Sequence, residues 1–123
     1  MEEVILTDEQ LQEKLKEWQE RLRLQDWIVR ARICRRHELP SNSQGRVYVT
    51  LSKKMANILI LDPVDYEPDN MLPQDMENSL VHELLHLHLW PITGDDEEGI
   101  YRIAEEQAIE SITSGLLHAL RNG

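Results

Sequence analysis

Two histidines and one glutamate are the residues of this chain whose types and spacing could together do chemistry. His82 and His86 are four residues apart within the apolar segment 81–87, and Glu83 follows the first of them. On a helix, residues at this spacing lie on one face, so the two imidazoles can share a metal ion. Zinc is the ion that such a histidine pair usually binds. Glu83 lies about 100° round the helix and can reach a water in an open coordination position. The spacing therefore predicts a zinc centre with Glu83 as general base.

The element that must hold this motif is a buried helix. Pro73 suits the first turn of a helix and Pro91 is expected to stop it, so we predict a helix from Pro73 to about Trp90. Its C-terminal half is nearly all apolar, which indicates burial, and polar side chains in such a position need partners. Two hydrogen-bonded core histidines without a metal are the plain alternative to the zinc site that we favour.

A second helix is expected to supply the third ligand, because a catalytic zinc needs three protein ligands and one open position. We predict this helix from Ile100 to about Arg121. Glu106 falls within its apolar side and Glu105 on the flank, so either carboxylate could complete the site. That apolar side is defined by Ile103, Ile109, Ile112, Leu116, Leu117 and Leu120.

Other residues that could bind metals or react are less well placed. His88 lies about 200° round the helix from His86 and is expected to face elsewhere. His37 and His118 are ligand candidates by composition alone. The single cysteine, Cys34, lies in a predicted strand, where we interpret it as a packing residue. The four acids at 95–98 lack the spacing of a calcium loop and suit the positive end of the next helix.

The N-terminal part of the chain predicts a helix followed by a strand. Thr7 and Gln10 have the form of a capping box, and apolar residues follow at helical spacing, so we predict a helix from Asp8 to about Arg23. Residues 27–36 alternate between apolar and polar types, as expected of a strand with one buried face. The arginines of this strand form the only basic cluster in the chain, and we interpret it as a solvated face.

Two further strands are expected to complete a small sheet. Residues 46–51 alternate, whereas residues 57–61 are apolar on both faces, as expected of an interior strand. The pair therefore predicts a hairpin in which the third strand is central and the second has a free edge. Such an edge can accept an extended peptide as one more strand. A long irregular link, 62–72, then leads to the motif helix.

Composition limits the classes to which the protein can belong. A length of 123 residues fits one domain, 1–123, with one hydrophobic core. The net charge of −10 makes nucleic acid an unlikely partner and argues against anionic membranes. One cysteine excludes an internal disulfide, and neither a signal peptide nor a membrane-spanning run is recognisable. We therefore expect a soluble, cytoplasmic protein.

The motif residues resemble those of a known enzyme group. His82-Glu83-Leu84-Leu85-His86, with Glu106 twenty residues later, is similar to the gluzincin branch of HExxH zinc metallopeptidases, which includes thermolysin. In that family the third-ligand helix carries Glu-x-x-x-Asp, and Glu106 with Glu110 matches this pattern with Glu for Asp, which favours Glu106 over Glu105. The order of elements over about residues 27–118 also resembles the small SprT-like and ImmA/IrrE-type zincins of phages and bacteria.

The resemblance implies an α+β, zincin-like fold: an N-terminal helix, a small three-stranded sheet, an active-site helix and a third-ligand helix. It implies Zn²⁺ held by His82, His86 and Glu106, with Glu110 orienting His82 and Glu83 as the catalytic base of peptide hydrolysis. Leu89 and Ile92 stand where a metzincin has Gly and His, which excludes that branch.

The motif residues do not include one that would stabilise the oxyanion. The subdomain that supplies an oxyanion-stabilising residue in larger relatives has no counterpart, and Tyr101 is the nearest candidate for that role. The rival function is a non-catalytic zinc-binding interaction module, such as a phage assembly or repressor-binding protein. A DNA-associated protease would rest on the arginine cluster alone and conflicts with the net charge.

Overall fold

The computed structural model describes residues 2–40, 42–94 and 99–123 and shows an α+β fold. Within these ranges three helices accompany one three-stranded sheet. The helices are α1 (Asp8–Arg21), α2 (Met76–Thr93) and α3 (Arg102–Asn122), and the strands are β1 (Ile28–Cys34), β2 (Gly45–Thr50) and β3 (Met55–Leu61). The coarse class predicted from the sequence is therefore confirmed. The acids at 95–98 lie outside the described residues.

Helix α1 begins at the predicted capping box. The backbone N–H of Gln10 donates to the Thr7 hydroxyl at 3.2 Å, and the Thr7 N–H donates to the Gln10 side chain at 2.9 Å. These two bonds satisfy amides that have no partner inside the helix. The apolar side of α1 buries Leu11, Leu15 and Trp18 in the core.

The sheet has the strand order β1-β3-β2, which confirms that β3 is central and β2 is an edge. β1 pairs with β3 in parallel and β2 pairs with it antiparallel. Ile58, Ile60 and Leu61 of β3 have no exposed surface, as expected of a strand covered on both faces. The core lies between the inner face of this sheet and helices α1 and α2.

Helix α2 is longer at its C-terminal end than predicted. Asp75 is its N-cap and accepts a hydrogen bond from the Asn78 N–H at 3.0 Å. Pro91 was expected to stop the helix, but the helix continues to Thr93. In the last turn a proline breaks few helical bonds, and the chain leaves the helix only at Gly94, whose φ of 59° suits glycine.

Helix α3 turns a different side to the core than predicted. Ile109 and Leu117 are buried as expected, but Ile103, Ile112 and four further apolar residues near or on the helix are exposed. Glu105 and Thr113 complete the buried stripe. The stripe runs at steps of four residues, and its first member, Glu105, contacts a histidine of α2. The four further exposed residues are Ile100, Tyr101, Leu116 and Leu120.

The C-terminal end of α3 is fixed by a charged cluster. Arg121 donates to both carboxylate oxygens of Asp75, at 2.7 and 3.2 Å, and to Glu77 at 2.9 Å. Glu77 is 5% exposed and also accepts a hydrogen bond from the Trp18 indole at 2.7 Å. This cluster, which also includes Lys14 at 3.8 Å from Glu77, joins α1, α2 and α3.

The arginines within and just after β1 pair with acids of the neighbouring loops. Arg32 pairs with Glu38 at 2.8 Å, and Arg35 pairs with Asp65 at 2.6 Å. These bonds lower the pKa of Glu38 and of Asp65 to about 2. Separately, none of the helices in the described ranges is both long and apolar enough to cross a membrane.

Candidate metal centre

The two motif histidines lie side by side on α2, as their spacing predicts. His82 is 9% exposed and His86 is 2% exposed, so both imidazoles are largely removed from water. Their ring centroids are 5.1 Å apart. Buried imidazoles of this kind need polar partners, and α3 supplies them.

Glu106 brings a carboxylate between the two rings. One carboxylate oxygen lies 2.9 Å from His82 Nε2, and the other lies 3.0 Å from His86 Nε2. Ligand atoms of these three residues all lie within 4.8 Å of one another, so the group could hold a metal ion. The predicted third-ligand position is thus occupied by Glu106.

The remaining ring nitrogens are held by two other glutamates of α3. His82 Nδ1 lies 2.7 Å from Glu110, and His86 Nδ1 lies 3.0 Å from Glu105. A carboxylate at Nδ1 accepts that N–H and leaves the Nε2 lone pair free for a metal. Glu110 therefore contacts His82, the histidine that it was expected to orient, at Nδ1. Glu105, the alternative third ligand, instead supports His86 from behind.

Glu105 is buried, which is unusual for a glutamate. Its side chain is 3% exposed, and one of its oxygens accepts the bond from His86 while also lying 3.4 Å from the Thr93 hydroxyl. The other oxygen has no hydrogen-bond partner among the described residues. Sequence reasoning placed Glu105 near the site but missed this role, because a one-residue step round a helix decides which nitrogen a carboxylate meets.

The carboxylates keep protons on the metal-free imidazoles. Burial alone would lower the pKa of His82, but its hydrogen bond with Glu106 and the charges of Glu83 and Glu110 outweigh that effect and raise the pKa. The pKa of His86 is raised in the same way. Burial lowers it, but the combined effect of Glu106, Glu83 and Glu105 is larger. The hydrogen bonds from both histidines hold the pKa of Glu106 far below its usual range.

Glu83 lies beside the histidines with its carboxylate against the first residue of β2. It is 8% exposed, and burial raises its pKa against the opposing charges of His82, His86 and Arg46. A Cβ at Gly45 would lie 3.4 Å from a Glu83 carboxylate oxygen and 3.2 Å from the Leu59 carbonyl oxygen. Glycine at this position therefore leaves room next to the carboxylate.

The histidines and Glu83 line an open cleft of about 630 Å³. One wall consists of α2 and α3, and the opposite side is formed by residues that precede and begin β2 and by the link before α2. Only Gly45 and Arg46 of β2 line the cleft. The α2 residues are Asp75, Asn78, Ser79, His82, Glu83 and His86, and the α3 residues are Arg102, Glu106, Glu110 and Ser114.

The structure leaves the other ligand candidates outside this group. His88 is exposed and bonds to the Leu22 carbonyl oxygen at 2.7 Å, which confirms that it faces away from the site. His118 contacts Asn122 on the same helix, and neither His118 nor His37 lines the cleft. Tyr101, the candidate for oxyanion support, is 72% exposed and also lies off the cleft.

Arg102 is a cleft residue that sequence reasoning missed. It lies one helical turn before Glu106, with a guanidinium nitrogen 3.6 Å from a Glu106 oxygen. A cation one turn before a metal-binding carboxylate could have been found from the i, i+4 spacing. Arg102 therefore brings a positive charge to the cleft, which Tyr101 does not line.

The donor set fits a zinc ion chemically. Two neutral imidazole nitrogens and one carboxylate are the ligands of a hydrolytic zinc site with one open position, and both imidazoles carry the outer carboxylate that such ligands usually have. The cleft gives the three ligand atoms access to solvent. Hard cations such as Mg²⁺ prefer oxygen ligands and fit this set less well.

Comparisons with known proteins give no match: no family model and no curated protein matches the sequence, and no solved structure matches the fold. The α+β architecture and the three-residue ligand group therefore stand on the structure of this chain alone.

Proposed function

We propose that this chain is a zinc-dependent metallopeptidase of the HExxH, gluzincin-like kind. The observation that carries the proposal is the convergence of His82, His86 and Glu106 within 4.8 Å, beside the buried Glu83 and in an open cleft. Two independent elements, α2 and α3, supply these side chains. Their match to the pattern expected from the sequence supports the zincin assignment.

His82, His86 and Glu106 would hold the zinc ion, with Glu110 and Glu105 fixing the orientation of the two imidazoles. When bound, zinc acts as a Lewis acid that polarises a carbonyl and makes water more acidic. The histidine pKa values are raised, so the imidazoles must lose protons before they can coordinate.

Glu83 is the proposed general base. Its burial raises the pKa of the carboxyl, which makes the ionised form a stronger base than an exposed glutamate. It takes a proton from the attacking water and delivers it to the leaving amine. The absence of a side chain at Gly45 keeps the β2 backbone close to the Glu83 carboxylate at the cleft.

Arg102 is the proposed electrostatic partner for the oxyanion. Its side chain is 23% exposed and lines the cleft one turn from Glu106. Fixed donors aimed at developing negative charge account for a large part of acyl-transfer catalysis. The free edge of β2 is proposed to contact substrate through Gly45 and Arg46, the strand residues that reach the cleft.

The test separates metal binding from catalysis. Glu83→Gln should retain zinc and lose peptide cleavage by more than about 100-fold, which is the loss expected when a general base is removed. Glu20→Gln on the exposed surface of α1 serves as the matched control and should keep full activity. Zinc and cleavage are measured on the same samples.

The rival interaction module has one observation in its favour. α3 exposes Ile112 at 49%, Leu116 at 36% and Leu120 at 45%, which follow one another at four-residue steps along one side and which a partner protein could cover. Wild-type protein that binds one zinc but hydrolyses no peptide in a diverse library would reject the peptidase and favour this module.

A further inference from the structure

The two faces of the sheet are covered unequally. Helices α1 and α2 pack on the inner face, and the alternate residues of each strand form the outer face. At one end of the outer face, Leu39 and Tyr66 of the neighbouring loops pack against Cys34 and Leu61. At the other end Ile28 is 61% exposed, so the described residues leave this part of the sheet open to solvent.

Two rows of side chains that run across the strands form this open end of the sheet. The first row consists of Ile28, Met55 and Thr50, and the second row consists of Arg30, Asn57 and Tyr48. All six residues are exposed, Met55 at 41% and Tyr48 at 48%. Exposed apolar side chains and polar groups therefore lie side by side on this surface, which we call the open face.

A depression of about 630 Å³ lies over the second row and continues towards the covered end. Asn57 and Leu59 of the central strand β3 form its floor. Arg30 and Arg32 of β1 line one side, and Tyr48 of β2 lines the other. The distance across three strands is about 10 Å. This matches the diameter of an α-helix with its side chains, so the depression has the width of one helix.

The open face carries positive charge, although the net charge of the chain is −10. Arg32, at the border of this face, is paired with Glu38. Arg30 and Lys53, which lies in the turn between β2 and β3, are exposed and have no ion-pair partner among the residues that the structure describes. Two free cations beside exposed apolar side chains complement a segment that carries carboxylates next to an apolar surface.

We propose that the open face binds an amphipathic helix of a partner protein, one whose apolar side is flanked by glutamates or aspartates. A helix is an element that commonly covers a sheet face, and helices already cover the inner face of this sheet. Apolar side chains of the bound helix contact Ile28, Met55 and Tyr48, and its carboxylates pair with Arg30 and Lys53. The open face lies on the opposite side of the sheet from α2, so this interaction goes beyond the proposed peptidase activity and needs no metal.

Two other occupants fit the charges of the open face less well. Nucleic acid is a polyanion, and two free cations offset little of its repulsion by a chain of net charge −10. A second copy of this chain, paired through the same face about a two-fold axis, would place two cationic faces against each other. A helix that carries a few carboxylates avoids both repulsions.

A displayed library of helical peptides tests which chemistry the open face selects. Each peptide is about four helical turns long. One side of the helix varies between Leu and Ser, and the flanking positions vary between Glu and Lys. After selection on the immobilised chain, we expect enrichment of Leu on that side and of Glu at the flanks. Enrichment of Lys at the flanks, or no enrichment at all, would overturn the proposal.

Charge reversal on the chain locates the binding site. The affinity of the most enriched peptide, measured by fluorescence anisotropy, should fall about tenfold in Arg30→Glu, because an attraction becomes a repulsion. A peptide with Lys in place of each Glu should bind Arg30→Glu more tightly than wild type. Arg23→Glu, the same charge reversal on an exposed residue just after α1, is the matched control and should keep full affinity. Equal affinity of the Glu peptide for Arg30→Glu and wild type would contradict the assignment to this face.

Loss of apolar surface gives a second test that does not depend on charge. Ile28→Ser should lower the affinity for the same peptide about fivefold, as expected from the apolar area that the helix would cover. Because Ile28 is exposed, the variant should fold, which circular dichroism checks. Unchanged affinity in Ile28→Ser would show that the peptide does not lie on the open face, and would overturn the proposal.

The other occupants are separate outcomes of the same experiments. A fluorescent DNA oligonucleotide that binds wild type more tightly than Arg30→Glu would overturn the proposal in favour of nucleic acid. A dimer in sedimentation that Arg30→Glu dissociates would overturn it in favour of a second copy. Zinc content and peptide cleavage should be the same in Arg30→Glu and wild type, so the peptidase proposal and this one stand or fall independently.

Discussion

The two ends of the α2–α3 interface are both charged, and they differ in how the charges are balanced. At the C-terminal end of α3, Arg121 and Lys14 face Asp75 and Glu77, so cations and carboxylates are equal in number. The Trp18 indole closes this cluster against α1. Each group has a partner within the protein, and the cluster needs no ligand.

At the N-terminal end of α3 the carboxylates exceed the cations. Glu83, Glu105, Glu106 and Glu110 surround two imidazoles. With neutral rings, the four carboxylates outnumber the two cations, Arg102 beside Glu106 and Arg46, whose charge acts on Glu83; protonation of both imidazoles makes the numbers equal. Since burying uncompensated charge is costly, a bound cation would stabilise this end of the interface.

Access to solvent is the second difference between the two ends. Glu106 and the two histidines line the cleft, whereas in the other cluster Glu77 is enclosed and only Asp75, which is paired with Arg121, reaches the cleft. A closed and neutral cluster is typical of a structural ion network, and an open cluster with excess carboxylate is typical of a metal site. Substitutions at the two ends should therefore differ in their effect on zinc affinity.

Loss of a motif histidine should break the open end. The purified chain should bind about one zinc, and His82→Ala or His86→Ala should lower the affinity by more than about 100-fold, beyond the loss typical of an outer-shell residue. Zinc content after dialysis and titration with a chromophoric chelator measure this. His88→Ala, on the same helix but off the cleft, should keep full affinity. Wild type that takes up no zinc when it is offered would reject the site.

Replacing each of the two adjacent glutamates by glutamine should show which of them contributes more to zinc binding. Glu106→Gln removes a ligand and should weaken zinc binding more than Glu105→Gln, which removes only the support of His86 Nδ1. We expect a loss of about 10- to 100-fold for Glu105→Gln, as is usual for such supporting groups. A greater loss in Glu105→Gln would shift the third-ligand assignment by one residue.

The sequence predicts the chemistry of this end better than its packing. His82, Glu83 and His86 follow from helical spacing, and Glu106 follows from the resemblance of the third-ligand helix. The buried side of α3 was predicted only in part. Ile109 and Leu117 are buried as expected, whereas the other four apolar residues assigned to that side, Ile103, Ile112, Leu116 and Leu120, are exposed. The structure instead turns Glu105 inward to His86, a contact between two helices that the periodicity of either one does not contain.

The position of the strands was predictable for a different reason. β3 is apolar on both faces and β2 alternates, so their central and edge places follow from pattern alone. The parallel direction in which β1 pairs with β3, two strands that are not consecutive in the chain, was not predicted. Arg102 was also missed, although its i, i+4 spacing to Glu106 is a signal that could have found it.

Acid should weaken zinc binding at the open end. The folded, metal-free chain has raised pKa values at His82 and His86, so protons compete with zinc until the pH exceeds those values. Zinc affinity should therefore rise as the pH is raised from below about 6.5. While one proton is displaced by each zinc ion, the rise should be about tenfold per pH unit.

The stability of the metal-free chain should change in the opposite direction. A raised histidine pKa stabilises the fold at pH values below the unfolded value near 6.5, and this stabilisation is lost as the pH rises through the folded values. Thermal unfolding at pH 6 and pH 8, with and without zinc, measures both trends. An increase in melting temperature on adding zinc that is no larger at pH 8 than at pH 6 would contradict the assignment of the imidazoles as ligands.

Disruption of the closed end should leave zinc affinity unchanged and lower only stability. Arg121→Met leaves the buried Glu77 without its closest cation, which should cost about 1–3 kcal/mol in the free energy of unfolding. Arg32→Met breaks the exposed pair with Glu38 and should lower the free energy of unfolding much less than Arg121→Met, because solvent screens this pair, which makes it the matched control. Urea unfolding gives the stability, and zinc titration of the folded protein gives the affinity. Equal zinc affinity in Arg121→Met and wild type would show that the two ends act independently. A tenfold loss would mean that docking of the C-terminal end positions Glu106, and that the contrast between a structural and a functional cluster is incomplete.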